Sequence, residues 1–179
     1  MKKIMEMLQN MKAKNEKKDN KGFSLVELII VIAIMAILVG IVGTQVLPYI
    51  NKSKEAKDLQ IINSFGTAAT TAYSSNAEKI TTVKTFTFYT TPSDADELAV
   101  YKEIIELTGY KDLPTLKAKM TSKNGKNITK VVVQINPTDA EATGGLKAAA
   151  KTIVTQAYYK GTESGATEGE LFDAVVTQL

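Results

Sequence analysis

Glu27 is the residue that asks most of its surroundings. It ends the stretch KGFSLVE, residues 21–27, and is followed by LIIVIAIMAILVGIVG, residues 28–43, without another charge. From Phe23 to Leu47 it is the only charged side chain in 25 residues. A carboxylate at the centre of a bilayer costs about 2.5–3.5 kcal/mol on insertion scales, and less near the edge. Such a group either snorkels to the lipid headgroups or finds a cation in the same apolar medium, where the attraction is strong.

The rest of the chain is poor in reactive groups. It contains no cysteine, histidine or tryptophan, and all 22 basic residues are lysine. A disulfide framework and a Cys/His zinc site are therefore excluded. No imidazole is present to serve as a general base near neutral pH, and the absence of arginine weakens any case for bidentate phosphate reading. Ser64, Ser74 and Ser75 have no histidine partner for a triad. Asp94, Asp96 and Glu97 are oxygen ligands of the kind calcium takes, but their spacing fits a capped helix start better. Asp139 and Glu141 follow Pro137 and read as solvated capping residues. Asn51-Lys52-Ser53 and Asn127-Ile128-Thr129 match the glycosylation pattern, a three-residue pattern that is usually coincidence. No glycine loop cradles a phosphate. The expectation is a protein without catalytic residues, metal or cofactor, and not an enzyme.

The net charge of +3 is unevenly spread. Residues 1–22 hold seven lysines and three acids, whereas residues 23–179 hold fifteen lysines and sixteen acids. The basic character belongs to the first segment, so the remainder has no electrostatic basis for general nucleic-acid binding. As a helix, residues 23–47 would span roughly 37 Å, more than a bilayer core needs. The lysines ahead of the run favour an N-terminus on the cytoplasmic side. A secretory signal would place a small-residue cleavage site after the run. Ala33 and Ala36 lie inside it, and GTQVLPY offers no such site. The apolar segment is therefore expected to be retained, with processing ahead of it where glycine follows a charged stretch.

KGFSLVELIIVIAIMAIL resembles the class III signal of type IV prepilins, with a dense match from Lys21 to about Val39. The resemblance implies that a dedicated membrane peptidase cuts between Gly22 and Phe23 and methylates the new terminus. Gly22 would be the last leader residue, Phe23 the first mature residue and Glu27 the fifth. Cleavage would create the cation that Glu27 lacks, the α-amino group of Phe23. Glu27 lies over one turn from that amine, which makes pairing within one chain awkward. The resemblance implies pairing with the terminus of a neighbouring subunit, which sets the axial stagger of a filament. Phe23 and Glu27 are thus the expected assembly residues of a structural pilus subunit. The implied partners are other pilin subunits, the prepilin peptidase, an assembly ATPase, a membrane platform protein and the lipid bilayer. The implied location is the cytoplasmic membrane as a precursor and an extracellular pilus when mature. The absence of cysteine leans toward the Gram-positive kind. Adhesion, motility, aggregation and DNA uptake are open as uses, and no host-surface or DNA ligand is indicated. A pseudopilin of a secretion or competence system is the alternative in the same superfamily, which a mature chain of 157 residues mildly disfavours. A membrane-anchored binding domain that never polymerises is the alternative from another class.

The elements that must position these residues follow from periodicity. The expected class is α+β: a long N-terminal helix packed on a small antiparallel sheet. The expected organisation is a leader at 1–22, a membrane and fibre-core helix at 23–47, an amphipathic continuation at 48–76 and a head at 77–179. Gly40, Gly43 and Pro48 are expected to interrupt the helix. Lys54 and Asp58 form an i,i+4 pair. Ile62, Phe65, Ala69, Ala72 and Tyr73 form an apolar stripe. In the head, residues 80–91 read as a strand. Asp94 opens a helix through Leu98, Tyr101, Ile104 and Ile105 that ends at Gly109. Asn124-Gly125 reads as a hairpin turn between 116–122 and 128–135. LKAAAKTIVTQAYY, from Leu146, reads as a helix, with residues 152–159 as an alternative strand. Residues 171–179 close the chain as a strand or short helix.

Overall fold

A computed structural model describes residues 3–7, 9, 23–162 and 164–179. The chain divides into two compact units, Met1–Leu47 and Pro48–Leu179. The class is α+β, with a long N-terminal helix followed by a five-stranded antiparallel sheet.

Helix α1, Leu25–Ile41, is built from leucine, isoleucine, valine, methionine and alanine apart from Glu27 and Gly40, and none of its residues is buried. A helix that is apolar all round and has nothing packed on it needs an apolar medium. A π-helical turn, Val42–Val46, follows. In it the Thr44 hydroxyl donates to the carbonyls of Gly40 and Ile41, both at 3.2 Å. The expected interruption at Gly40, Gly43 and Pro48 is thus a single widened turn. Helical backbone continues from Leu25 to Ser75, with Pro48 the second residue of the next helix.

Helix α2, Leu47–Ser75, buries Asp58, Ile62, Phe65, Gly66, Ala68, Ala69 and Ala72. Their three- and four-residue steps put them on one face. The small residues let this face lie close to the sheet. A Cβ on Gly66 would stand 3.3 Å from the hydroxyls of both Thr155 and Thr177.

The sheet runs β1 (Lys84–Thr87), β2 (Ile128–Asn136), β3 (Thr152–Lys160), β4 (Glu168–Glu170) and β5 (Val175–Gln178). The spatial order is β1-β2-β3-β4, with β5 also pairing with β3. The two nine-residue strands form its centre, with Val131 opposite Ala157 and Ile135 opposite Ile153. Their alternate residues serve two cores. Val131, Val133, Ile135, Ile153 and Ala157 pack with Phe65, Phe86 and Phe88. Val154 joins a smaller cluster with Ala142 and Ala148. The loop that carries those alanines is held to β2 by side chains. Asn136 Nδ2 donates to the carbonyls of Ala140, Ala148 and Ala149 at 2.8–3.0 Å. Gln134 donates to Gly144 at 2.7 Å and accepts from the Ala148 N–H at 3.2 Å. Buried amides that are fully used in this way fix a loop that lacks regular structure of its own.

Helix α3, Ala95–Thr108, begins at Asp94, as expected, and ends at Gly109, whose φ of 74° is the left-handed conformation suited to glycine. Helix α4, Leu113–Lys119, is capped by Asp112. It replaces the first arm of the expected hairpin, because an aspartate cap followed by Pro114 is a helix start. Asn124-Gly125 leads instead into a 3₁₀ turn, Gly125–Asn127. The expected helix from Leu146 is absent. Its second half is β3, where valine, isoleucine, threonine and tyrosine favour the pleated conformation. The strand expected over 80–91 is confined to β1, and Tyr89 takes a positive φ of 72° just beyond it, with its N–H donated to the Tyr101 hydroxyl at 3.1 Å.

The two aspartate caps give the head an acid dependence. Asp94 accepts from the N–H groups of Glu97 and Asp96, both at 3.0 Å, and the Glu97 bond is the main cause that lowers its carboxyl below the ordinary range. Asp112 is lowered chiefly by the Thr115 hydroxyl and then by its N–H. Carboxyls lowered in the folded state stabilise it above their unfolded pKa, about 4. That contribution disappears as pH falls through the folded values. Melting of the full chain between neutral pH and about pH 3 should show a decline that Asp94→Asn and Asp112→Asn together make shallower. An unchanged slope would contradict the assignment.

Candidate functional site

The start of α1 is organised by its own residues. Ser24 has extended backbone angles, φ −63° and ψ 140°, and caps the helix. Its Oγ accepts from the Val26 N–H at 3.3 Å. In return, the Ser24 N–H donates to Glu27 Oε2 at 2.9 Å. This reciprocal capping box satisfies two N–H groups that the first turn would leave without partners. It also sets a carboxylate at the positive end of the helix dipole. Phe23 lies outside the helix and is 84% exposed.

The spacing of Glu27 from the segment start makes pairing with an amine on Phe23 of the same chain awkward. In the structure its side chain bends back over the turn and bonds the N–H one residue after Phe23. The carboxylate thus lies beside the peptide that links Phe23 to Ser24. Gly22 lies outside the described residues. Among the described residues one helix is long and apolar enough to cross a membrane, and it begins at Leu25.

The other residues singled out have local roles. Asp94 is a cap, and Glu97 forms an ion pair with Lys84 at 2.7 Å. Asp139 lies 3.4 Å from Lys151. The hydroxyls of Ser64, Ser74 and Ser75 donate to carbonyls within α2, at 2.6, 2.8 and 3.2 Å. Such bonds within a helix leave them no nucleophilic arrangement.

Asp58 departs most from the sequence reading. It was paired with Lys54, but it is fully buried. Its Oδ1 accepts from the Thr121 N–H at 2.7 Å and hydroxyl at 3.0 Å. Its Oδ2 accepts from the Ser122 N–H at 2.9 Å and hydroxyl at 2.5 Å. Ser122 Oγ in turn accepts from the Gly125 N–H at 2.9 Å. A Cβ on Gly125 would run into Asp58 Oδ2 and stand 2.8 Å from Ser122 Oγ. One carboxylate thus fastens the 121–125 turn to α2. The signal for it lay in the spacing, since 58 precedes 62, 65, 69 and 72 on the buried stripe.

Comparison with known proteins bears on the first 43 residues. The family model described as the prokaryotic N-terminal methylation motif matches residues 17–43. No curated protein and no solved structure matches the chain. The matched segment holds the capping box, Phe23, Glu27 and the exposed apolar helix. It supports a prepilin of the type IV pilin or pseudopilin kind, a structural group that is generally not enzymatic, and implies processing by a prepilin peptidase and assembly with other pilin subunits. The motif and the apolar helix fit a membrane-anchored precursor. The chain carries, over residues 17–43, the type IV prepilin signature.

Proposed function

We propose that this chain is a structural subunit of a type IV pilus, cut after Gly22 and polymerised through its N-terminal helix. The observation that carries the reading is an all-apolar helix with no buried residue, headed by one carboxylate held at its first turn. Such a helix is stable in a bilayer, and equally in a bundle of like helices. The two environments are exchanged when the subunit passes from membrane to fibre.

Cleavage would leave Phe23 with a charged α-amino group, methylated by the same peptidase. Glu27 would then have two partners, its own helix start and the amine of a neighbour. A neighbour offers a full charge where Ser24 offers a neutral N–H, so pairing between subunits is the stronger bond in an apolar core. The N-terminus would lie on the cytoplasmic side before assembly, with an ATPase and a platform protein driving extraction. No step of catalysis falls to this chain.

Processing is tested by co-expression with a prepilin peptidase. The intact mass should fall by the 22 leader residues, with one added methyl group. Gly22→Leu should stay full length, because a bulky side chain at the cut site blocks the peptidase. A full-length product from the unaltered chain would overturn the cleavage assignment.

A further inference from the structure

We propose that five lysines at one end of the second unit form a binding surface for the phosphate headgroups of anionic lipids. The inference concerns the unassembled chain and requires only that the apolar run lie in a bilayer.

The chain enters this unit at Pro48. The next residue, Tyr49, is 73% exposed, and tyrosine's amphipathic ring suits the membrane–water boundary. Lys52, Lys54 and Lys57 follow on the same helix and are all exposed. At the helical rise they lie roughly 6–14 Å beyond Pro48. A lysine stem can rest on apolar surface while its ammonium meets the headgroups.

The Asp58 clamp brings a second set to the same place. It fastens Thr121 and Ser122 to α2, and the Thr121 hydroxyl also donates to the Lys54 carbonyl at 3.1 Å. Lys123 and Lys126, on the turn so fastened, are exposed. A polar cleft of about 270 Å³ separates turn and helix, lined by Asn51, Glu55, Ser122, Lys123 and Asn124. Among the described residues none of the five lysines is in an ion pair.

Charge is segregated accordingly. These five lysines face two acids, Glu55 and the buried Asp58, whereas the remainder of residues 48–179 holds ten lysines and thirteen acids. The basic end is the one where the chain leaves the apolar run, and this continuity selects lipid over other anions. A lysine ammonium is a compact charge well suited to a phosphodiester.

The test uses the full chain in nanodiscs of phosphatidylcholine mixed with phosphatidylglycerol. The lipids that stay bound after transfer to non-ionic detergent are counted by native mass spectrometry. The unaltered chain should retain phosphatidylglycerol preferentially, and less so at high salt. A lysine near an anionic surface is worth about fivefold in partition. Lys123→Gln/Lys126→Gln should therefore lower the preference about 25-fold without changing the melting temperature. Lys102→Gln/Lys147→Gln should leave it unchanged. An inserted chain with no headgroup preference overturns the proposal, as does a preference that survives removal of all five lysines. If the five-lysine variant keeps its phosphatidylglycerol but no longer associates with a second copy, the surface serves subunit contact and the lipid assignment falls. A chain that fails to enter the nanodiscs contradicts both the proposal and the membrane reading beneath it.

Discussion

Glu27→Ala should leave the chain in the membrane and remove it from filaments. The substitution deletes the one charge in the apolar run, so insertion into lipid becomes easier. In the proposed fibre core it would leave the neighbour's α-amino group buried without a partner. Breaking a buried ion pair from one side costs about 3–5 kcal/mol. Assembled subunit should therefore fall by at least about 100-fold, read as the ratio of sheared to membrane-bound protein. Glu27→Gln keeps a hydrogen-bond acceptor for the Ser24 N–H but loses the charge, and should assemble nearly as poorly. Ser24→Ala removes the Oγ cap at a cost of about 1 kcal/mol and should still assemble. This set separates the two roles of the carboxylate. If Ser24→Ala is as damaging as Glu27→Ala, the capping box is what matters and pairing between subunits is not. If Glu27→Ala assembles normally, the chain is better read as an anchored domain that never polymerises.

The second large effect is expected at Asp58. Its carboxylate takes hydrogen bonds from two N–H groups and two hydroxyls in the 121–122 segment. Asp58→Ala leaves the Ser122 N–H buried without an acceptor and opens a void beneath the turn. Lost bonds to a charged acceptor and stranded donors together cost about 3 kcal/mol. For a domain of this size that lowers the melting temperature by about 10 °C. Gly125→Ala should be of similar size, because its Cβ would occupy the space of the Asp58 carboxylate. The two losses should not add, since removing the carboxylate makes room for the methyl group. Additive losses, or an Asp58→Ala change below about 1 kcal/mol, would show that the turn does not depend on the clamp.

How far the fold could be read from the chain depended on whether local and tertiary preferences agreed. They agree in α2, where Ile62, Phe65, Ala69 and Ala72 are all buried, and in α3, where Asp94 and Gly109 mark both ends. They agree in β2, where Ile128, Thr129, Val131, Val132, Val133 and Ile135 are all β-branched. They conflict after Gly145. Three alanines favour a helix, but Asn136 captures the carbonyls of Ala148 and Ala149, Gln134 accepts from the Ala148 N–H, and together they hold that segment open. No periodicity announces a buried amide that grips a distant loop. Asn124-Gly125 misled for a related reason. The dipeptide favours a hairpin only between two strands, and Asp112 with Pro114 had already started a helix ahead of it. Asp58 was legible in principle, as an acid on an apolar stripe, but its partners lie more than 60 residues away. At the N-terminus the pattern of residue types was informative. The bend of Glu27 back to Ser24 was legible in principle, since Ser24 and Glu27 have the Ser-x-x-Glu spacing of a capping box.

The most direct test of the account is the intact mass and N-terminal sequence of this protein in filaments sheared from the cell surface. The chain should begin at N-methylated Phe23, 22 residues shorter than the translated sequence. A chain that retains its leader and stays with the membrane, absent from the sheared material, would contradict it.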